Sequence, residues 1–182
     1  KIAEGQSAFM NLVDSAVKNA PAGTENAVSL VKSALAAANN PGTSAATVTL
    51  LANLSAAGDV AVSSGTLAAG TNALTVGGNW LAQGGVFTAG TSTVTMNGAG
   101  ANVILSGASP FFNLSLSGPG SWSLSDAATV GGTFDQFGGT FNVGQDLRAL
   151  GLTSVRNGTL ALSSGGRILM GNGATLTIGD GL

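Results

Sequence analysis

The chain is 182 residues long, with only 8% charged residues, six Lys and Arg against eight Asp and Glu, and neither Cys nor His. This excludes disulfides, Cys/His zinc sites and every His-dependent triad, and a net charge of −2 offers no basic surface to a nucleic-acid backbone. With 44% apolar residues, 29 Gly and a mean hydropathy of +0.39, the composition is that of a foldable, weakly charged structural or binding body rather than an enzyme.

The opening residues Lys1-Ile2-Ala3-Glu4-Gly5-Gln6 lack the apolar stretch of a signal peptide. No run approaches the ~18 apolar residues of a membrane span, and the strands are too short, with too few aromatic residues, for an outer-membrane barrel. A mature secreted chain and a cytosolic one both fit.

Residues 1–40 read as two amphipathic helices. Phe9, Leu12, Val13, Ala16, Val17 and Ala20 form one apolar stripe at helical spacing, which Pro21 and Gly23 interrupt. Thr24 then offers an N-cap with Glu25 in the first turn. Ala27, Leu30, Val31, Ala34, Leu35 and Ala38 repeat the spacing until Pro41-Gly42 stops it. The apolar faces are carried chiefly by Phe9, Leu12, Val13, Val28, Val31 and Leu35. Narrow, Ala-rich stripes of this kind need a surface to lie on. Two surfaces are open: a hydrophobic body outside the protein, or the exposed end of the domain that follows.

Residues 41–182 are built from repeats. A shift of 20 carries Ala69-Gly70-Thr71 onto Ala89-Gly90-Thr91, Leu74-Thr75-Val76 onto Val94-Thr95-Met96 and Gly78 onto Gly98. A shift of 54 carries Thr75-Val76-Gly77-Gly78 onto Thr129-Val130-Gly131-Gly132, Trp80 onto Phe134 and Phe87 onto Phe141. Alternating pairs such as Leu74/Val76, Val94/Met96, Leu114/Leu116, Phe141/Val143, Leu160/Leu162 and Leu176/Ile178 read as short strands, separated by turn dipeptides such as Asn97-Gly98, Asn157-Gly158 and Asn172-Gly173. The predicted fold is mainly β: a β-solenoid (β-helix) of about seven coils behind an N-terminal helical segment, on the order of 34 Å long at the spacing of paired strands. A β-sandwich, which also has short strands and Gly turns, is the rival.

Two resemblances follow from particular stretches. Lys18-Asn19-Ala20-Pro21-Ala22-Gly23-Thr24-Glu25-Asn26-Ala27-Val28, running on to Asn39-Asn40, resembles the phasin family, helical proteins that coat bacterial polyhydroxyalkanoate granules; this likeness covers residues 9–40. It implies binding to a granule or other hydrophobic surface, and a cytoplasmic granule as the location. Val76-Gly77-Gly78-Asn79-Trp80, Phe87-Thr88-Ala89-Gly90-Thr91-Ser92-Thr93-Val94-Thr95 and Phe111-Phe112-Asn113-Leu114-Ser115-Leu116 resemble the adhesin-like, β-helical repeat proteins that bacteria display outside the cell, over residues 46–182. That likeness implies a structural role at a cell surface.

Candidate chemistry is sparse. Beyond Pro41 the carboxylates are Asp59, Asp126, Asp135, Asp146 and Asp180. A sugar-cleaving β-helix would gather Asp126, Asp135 and Asp146 along one edge beside Arg148, with or without Ca²⁺; the plainer account is single Asp residues capping turn amides. No phosphate-cradling or dinucleotide string and no Gly-x-Ser-x-Gly occurs, so no catalytic, metal or cofactor-binding residue is assigned. Trp80 and Trp122 suit either sugar stacking or the filling of a narrow core. Outward Thr residues raise an ice-binding reading, but Thr-x-Thr occurs only at Thr47/Thr49, Thr93/Thr95 and Thr175/Thr177, not on successive coils. The sequons at Asn53, Asn113 and Asn157 carry little weight.

The terminal stretch Ala174–Leu182 is still strand-like, so either more coils follow or the edge is covered by another copy. The expectation is a structural module that self-associates head to tail through Leu160, Leu162, Ile168, Met170, Leu176 and Ile178, with a surface polysaccharide or hydrophobic surface as the other possible partner.

Overall fold

The computed structural model describes residues 47–179. The helices expected within residues 1–40, with Phe9, Leu12, Val13, Val28, Val31 and Leu35, lie outside the described residues, as does Asp180.

Alternation of apolar and small polar residues, broken every few positions by Gly, dictates strands too short to pair as hairpins. Each is followed by a corner and pairs with its counterpart one coil later. The first coil holds β1 (Thr47–Thr49), β2 (Leu54–Ala56) and β3 (Val60–Ala61). The second holds β4 (Thr66–Ala68), β5 (Leu74–Val76) and β6 (Trp80–Leu81), and the third β7 (Val86–Thr88), β8 (Thr93–Met96) and β9 (Ala101–Leu105). β10 (Asn113–Leu116) and β11 (Ser121–Leu124) belong to the fourth; β12 (Ala128–Val130), β13 (Phe134–Gln136) and β14 (Thr140–Val143) make the fifth. β15 (Asp146–Ala149), β16 (Thr153–Val155) and β17 (Thr159–Leu162) make the sixth, and β18 (Arg167–Met170) and β19 (Leu176–Ile178) begin the seventh.

Four parallel sheets result. β2-β5-β8-β10-β13-β16-β19 form one face and β3-β6-β9-β11-β14-β17 a second. The third face is split into β1-β4-β7 and β12-β15-β18; between them lies the segment before β10, where Ser109 Oγ accepts from the Phe87 N–H of β7 at 3.0 Å and Phe111 bridges to Val130 of β12. Every strand pairing among the described residues is parallel. Parallel neighbours require a crossover rather than a tight hairpin, so the β-sandwich built from hairpins falls and the β-solenoid stands.

The register is the one that the shift of 20 dictates: Leu74 pairs with Val94, Thr75 with Thr95 and Val76 with Met96. The shift of 54 has a different meaning. It carries β5 of the first face onto β12 of the third, and Trp80 of the second face onto Phe134 of the first. It therefore relates one face to another rather than one coil to the next.

Side chains at alternate positions point inward and fill the narrow tube, among them Leu74, Val76, Val94, Met96, Leu114, Leu116, Trp122, Phe141, Val143 and Leu147, all fully buried. The core changes shape where the third face breaks. Phe87 leads to Val94 seven positions on, whereas Phe111 leads to Leu114 after only three, and the second-face strands lengthen in compensation. At this fault Trp80 packs edge-on against Phe87 with ring centroids 4.7 Å apart, and Phe111 tilts against Trp80 and Phe87 at 5.5 and 6.0 Å. Large rings thus fill the space that the interrupted ladder leaves.

Corners are stapled by short polar side chains. Asp59 accepts hydrogen bonds from the Asn79 backbone N–H (2.7 Å) and side-chain Nδ2 (3.0 Å), and Asn79 Oδ1 accepts from the Val103 N–H at 2.7 Å. Asn113 Oδ1 accepts from both the N–H and the Oγ1 of Thr133, each at 2.8 Å. Such bonds satisfy corner amides that no strand pairing reaches.

Candidate functional site

The six edge residues expected from the sequence come together on the last strands of all three faces. β17, β18 and β19 are each the outermost strand of their sheet among the described residues. Their register follows the coil beneath: Leu160 over Phe141, Leu162 over Val143, Ile168 over Leu147, Met170 over Ala149, Leu176 over Thr153 and Ile178 over Val155. Each residue beneath is buried and inward-facing. The six are therefore the next layer of the same core. Leu160 and Ile168 are half-buried, while Leu162, Met170, Leu176 and Ile178 are 54%, 37%, 42% and 72% exposed.

This end presents an apolar ring and three strands with an unpaired outer edge among the described residues. A parallel edge strand is a template for another strand, and apolar side chains in core register add a surface to bury. β18 is held in place from beneath by a bidentate pair, Arg167 Nε donating to Asp146 Oδ1 at 2.8 Å and Arg167 Nη2 to Oδ2 at 2.6 Å. The guanidinium hydrogen bonds first, and its charge second, hold the Asp146 carboxyl below its ordinary value. A carboxyl with a lowered folded-state pKa stabilises above its ordinary value of 3.8 and loses that contribution as pH falls through its folded value. Acidification below that range is therefore expected to release β18 first. Amide exchange at Ile168–Met170 should accelerate relative to β15 only as pH falls below 3.8, and Asp146→Asn should accelerate it already at pH 6. Equal acceleration in β15 and β18 would count against a local release.

The carboxylates that a sugar-cleaving site would gather do not converge. Asp126 lies at the corner after β11, where its two oxygens accept from the Ser106 N–H and hydroxyl and from the Gly107 N–H. Asp135 lies on β13 of the first face and Asp146 on β15 of the third. Asp135 stands 3.7 Å from Arg156, whose guanidinium lies over the Phe137 ring at 5.1 Å. Arg148 is on β15, paired in register with Thr129 and Leu169. No group of three or more potential metal-ligating side chains gathers among the described residues.

Trp80 and Trp122 are inside the tube and fully buried, which removes them as stacking platforms for a sugar. Thr75 and Thr95 are outward neighbours, but the column they belong to reads Ser55, Thr75, Thr95, Ser115, Asp135, Ser154, Thr177, so the pair of methyl-bearing rungs ends at Ser on both sides. No helix among the described residues is long and apolar enough to cross a membrane.

One feature of the corner after the first face escaped the sequence reading. Gly58, Gly78, Gly98, Gly118 and Gly138 recur every 20 residues over five successive coils. A side chain in this column runs into the coil beneath: a Cβ on Gly98 would lie 2.5 Å from the Gly77 carbonyl oxygen, and one on Gly138 3.1 Å from that of Gly118. The column is what lets successive coils close up at that corner. No protein-family model, no curated protein and no solved structure matches the chain.

Proposed function

We propose that this chain is a structural β-solenoid module that self-associates head to tail, the coil formed by β17, β18 and β19 of one copy stacking on the first coil of another. The observation that carries the reading is the exposure of Leu162, Met170, Leu176 and Ile178 in core register above a buried layer. A second copy supplies both missing elements at once, namely strands for the open edges and apolar side chains for the next layer. A contact between the two unlike ends does not close on itself, so it generates rods or fibres. The resemblance of residues 46–182 to adhesin-like repeat proteins is what supports a location outside a bacterial cell, where a rod would space or present an attached surface. No catalytic residue is part of the reading.

The test is Leu162→Asp with Ile178→Asp in the full chain, compared with the unaltered protein by light scattering and negative-stain electron microscopy. The unaltered protein is expected to form rods whose length grows with concentration. The variant should keep the same circular-dichroism spectrum and stay at one small size, because both positions are exposed and two carboxylates buried in the contact would be strongly unfavourable. A concentration-independent size for the unaltered protein, or rods from the variant, would overturn the proposal.

A further inference from the structure

The pairs Asn97-Gly98, Asn157-Gly158 and Asn172-Gly173 have a chemistry of their own beyond turn formation. The main-chain nitrogen of a residue that follows Asn can attack the side-chain carboxamide carbon. A C–N bond forms to that carbon, its bond to the amide NH2 breaks, and ammonia leaves with the proton shed by the attacking nitrogen. Water then opens the five-membered succinimide at either carbonyl, which leaves Asp or isoaspartate. Gly favours the attack because it has no Cβ in the way and turns freely about φ and ψ.

In a folded chain the reaction depends on whether the peptide linking the two residues can swing. At Asn97-Gly98 it is clamped from both sides. The Asn97 N–H donates to the Val76 carbonyl at 2.9 Å, and the Gly98 carbonyl accepts from the Gly120 N–H at 3.1 Å. A Cβ on Gly98 would lie 2.5 Å from the Gly77 carbonyl oxygen, and one on Gly118 2.5 Å from the Asn97 carbonyl carbon, so neither neighbouring coil leaves room. Asn157-Gly158 is exposed but anchored to the coil beneath at both flanks, by the Arg156 N–H to Gln136 O at 2.9 Å and the Thr159 N–H to Gly139 O at 2.8 Å.

Asn172-Gly173 is held far less. It fills the two central positions of a turn between β18 and β19, in the outermost described coil. The entry is anchored by the Gly171 N–H to Ala149 O at 2.7 Å, but the exit is tied only within the turn, by the Ala174 N–H to Gly171 O at 3.0 Å. Gly173 has φ +78°, and a Cβ there would meet nothing within 4 Å. Both residues are exposed, and neither N–H donates a hydrogen bond among the described residues.

We propose that Asn172 is a site of spontaneous deamidation, and that its conversion switches off stacking at the open end. The product carries a new negative charge at a corner of the terminal coil. As isoaspartate it also adds one carbon to the main chain of the turn, which puts β19 out of step with β18. A second copy then has to bury that charge and meet a shifted edge. The switch rests on the self-association proposed above; the modification site does not.

The three pairs fall in separate tryptic peptides, because Arg148, Arg156 and Arg167 stand between them. The full chain is kept in mildly alkaline buffer, and samples are digested at intervals and weighed by mass spectrometry. The Asn172 peptide is expected to convert about tenfold sooner than the Asn97 peptide, which must wait for a local opening. In guanidinium the two should convert at similar rates. Equal rates in the folded chain, or an Asn172 that stays intact while the unfolded chain reacts, would overturn the site.

The switch is read by negative-stain electron microscopy of the aged protein beside equally aged Asn172→Gln, whose larger ring closes far more slowly. Rods of the unaltered chain should shorten with age while those of Asn172→Gln keep their length. Undiminished rods from fully converted protein would sink the switch. If neither protein forms rods when fresh, the self-association fails, and the mass shift alone still decides the site.

Discussion

Trp80→Ala is expected to lower the unfolding free energy by about 3–5 kcal/mol, the range for deleting a large aromatic side chain from a packed core. Trp80 is fully buried, and its ring meets two others, Phe87 at 4.7 Å and Phe111 at 5.5 Å. Each of those pairs adds about 0.5–1.5 kcal/mol to the burial itself. The position matters as much as the volume. Trp80 sits where the β1-β4-β7 sheet ends, so the coils before and after the fault are joined on the third face by side-chain packing more than by a continuous ladder.

In a stacked-repeat protein, stability is a sum of coil and interface terms, and a weakened interface uncouples its two sides. Guanidinium unfolding of Trp80→Ala, followed by the fluorescence of Trp122 and by circular dichroism, should therefore show two transitions where the unaltered protein shows one. Ile178→Ala, at a position 72% exposed, should leave the curve nearly unchanged. A single transition with a loss below about 1.5 kcal/mol would mean that the backbone alone carries the fault.

The solenoid was legible because inward positions repeat. Leu74, Val94, Leu114 and Phe134 are inward residues of the first face, one per coil at a spacing of 20, and they pair as that spacing requires. The edge residues were legible for the same reason. Inward positions are apolar in most coils, with Gln136 and Thr153 as buried polar exceptions, so Leu160, Leu162, Ile168, Met170, Leu176 and Ile178 could be named without coordinates. Their degree of exposure could not, because it depends on which strands are outermost.

The fault was hidden because the first face keeps its period of 20 while four positions move from the third face to the second, so the sum per coil does not change. The carboxylates do not gather for a related reason. Asp126, Asp135 and Asp146 are nine and eleven residues apart, about half a coil, and a half-coil spacing distributes residues over different faces rather than along one edge. The glycine column was visible in the sequence at five positions, Gly58 to Gly138. It passed unnoticed because Gly is so abundant that its regularity at one corner does not stand out among the 29.

That column carries the second large expectation. Gly118→Ala should cost about 1–3 kcal/mol, the usual range for overpacking a tight contact, while Gly58→Ala should be neutral or stabilising by about 0.4–1 kcal/mol through the unfolded chain. Both glycines occupy the same corner, and neither has a positive φ. They differ in what lies beneath. A Cβ on Gly118 would be 2.5 Å from the carbonyl carbon and oxygen of Asn97, whereas a Cβ on Gly58 meets nothing within 4 Å.

The obstacle at Gly118 is backbone, and that backbone is fixed by the parallel pairing of β8 with β10, so it has nowhere to move. Thermal unfolding of the two variants separates two accounts of the column. Loss at Gly118 without loss at Gly58 means that the glycines are required by the approach of one coil to the next. In that case, a second copy stacked on the first coil would meet the same requirement at Gly58, and Gly58→Ala should weaken rod formation while leaving the single molecule intact. Equal losses at both positions would instead mean that the corner conformation itself demands glycine, and the column would then say nothing about stacking.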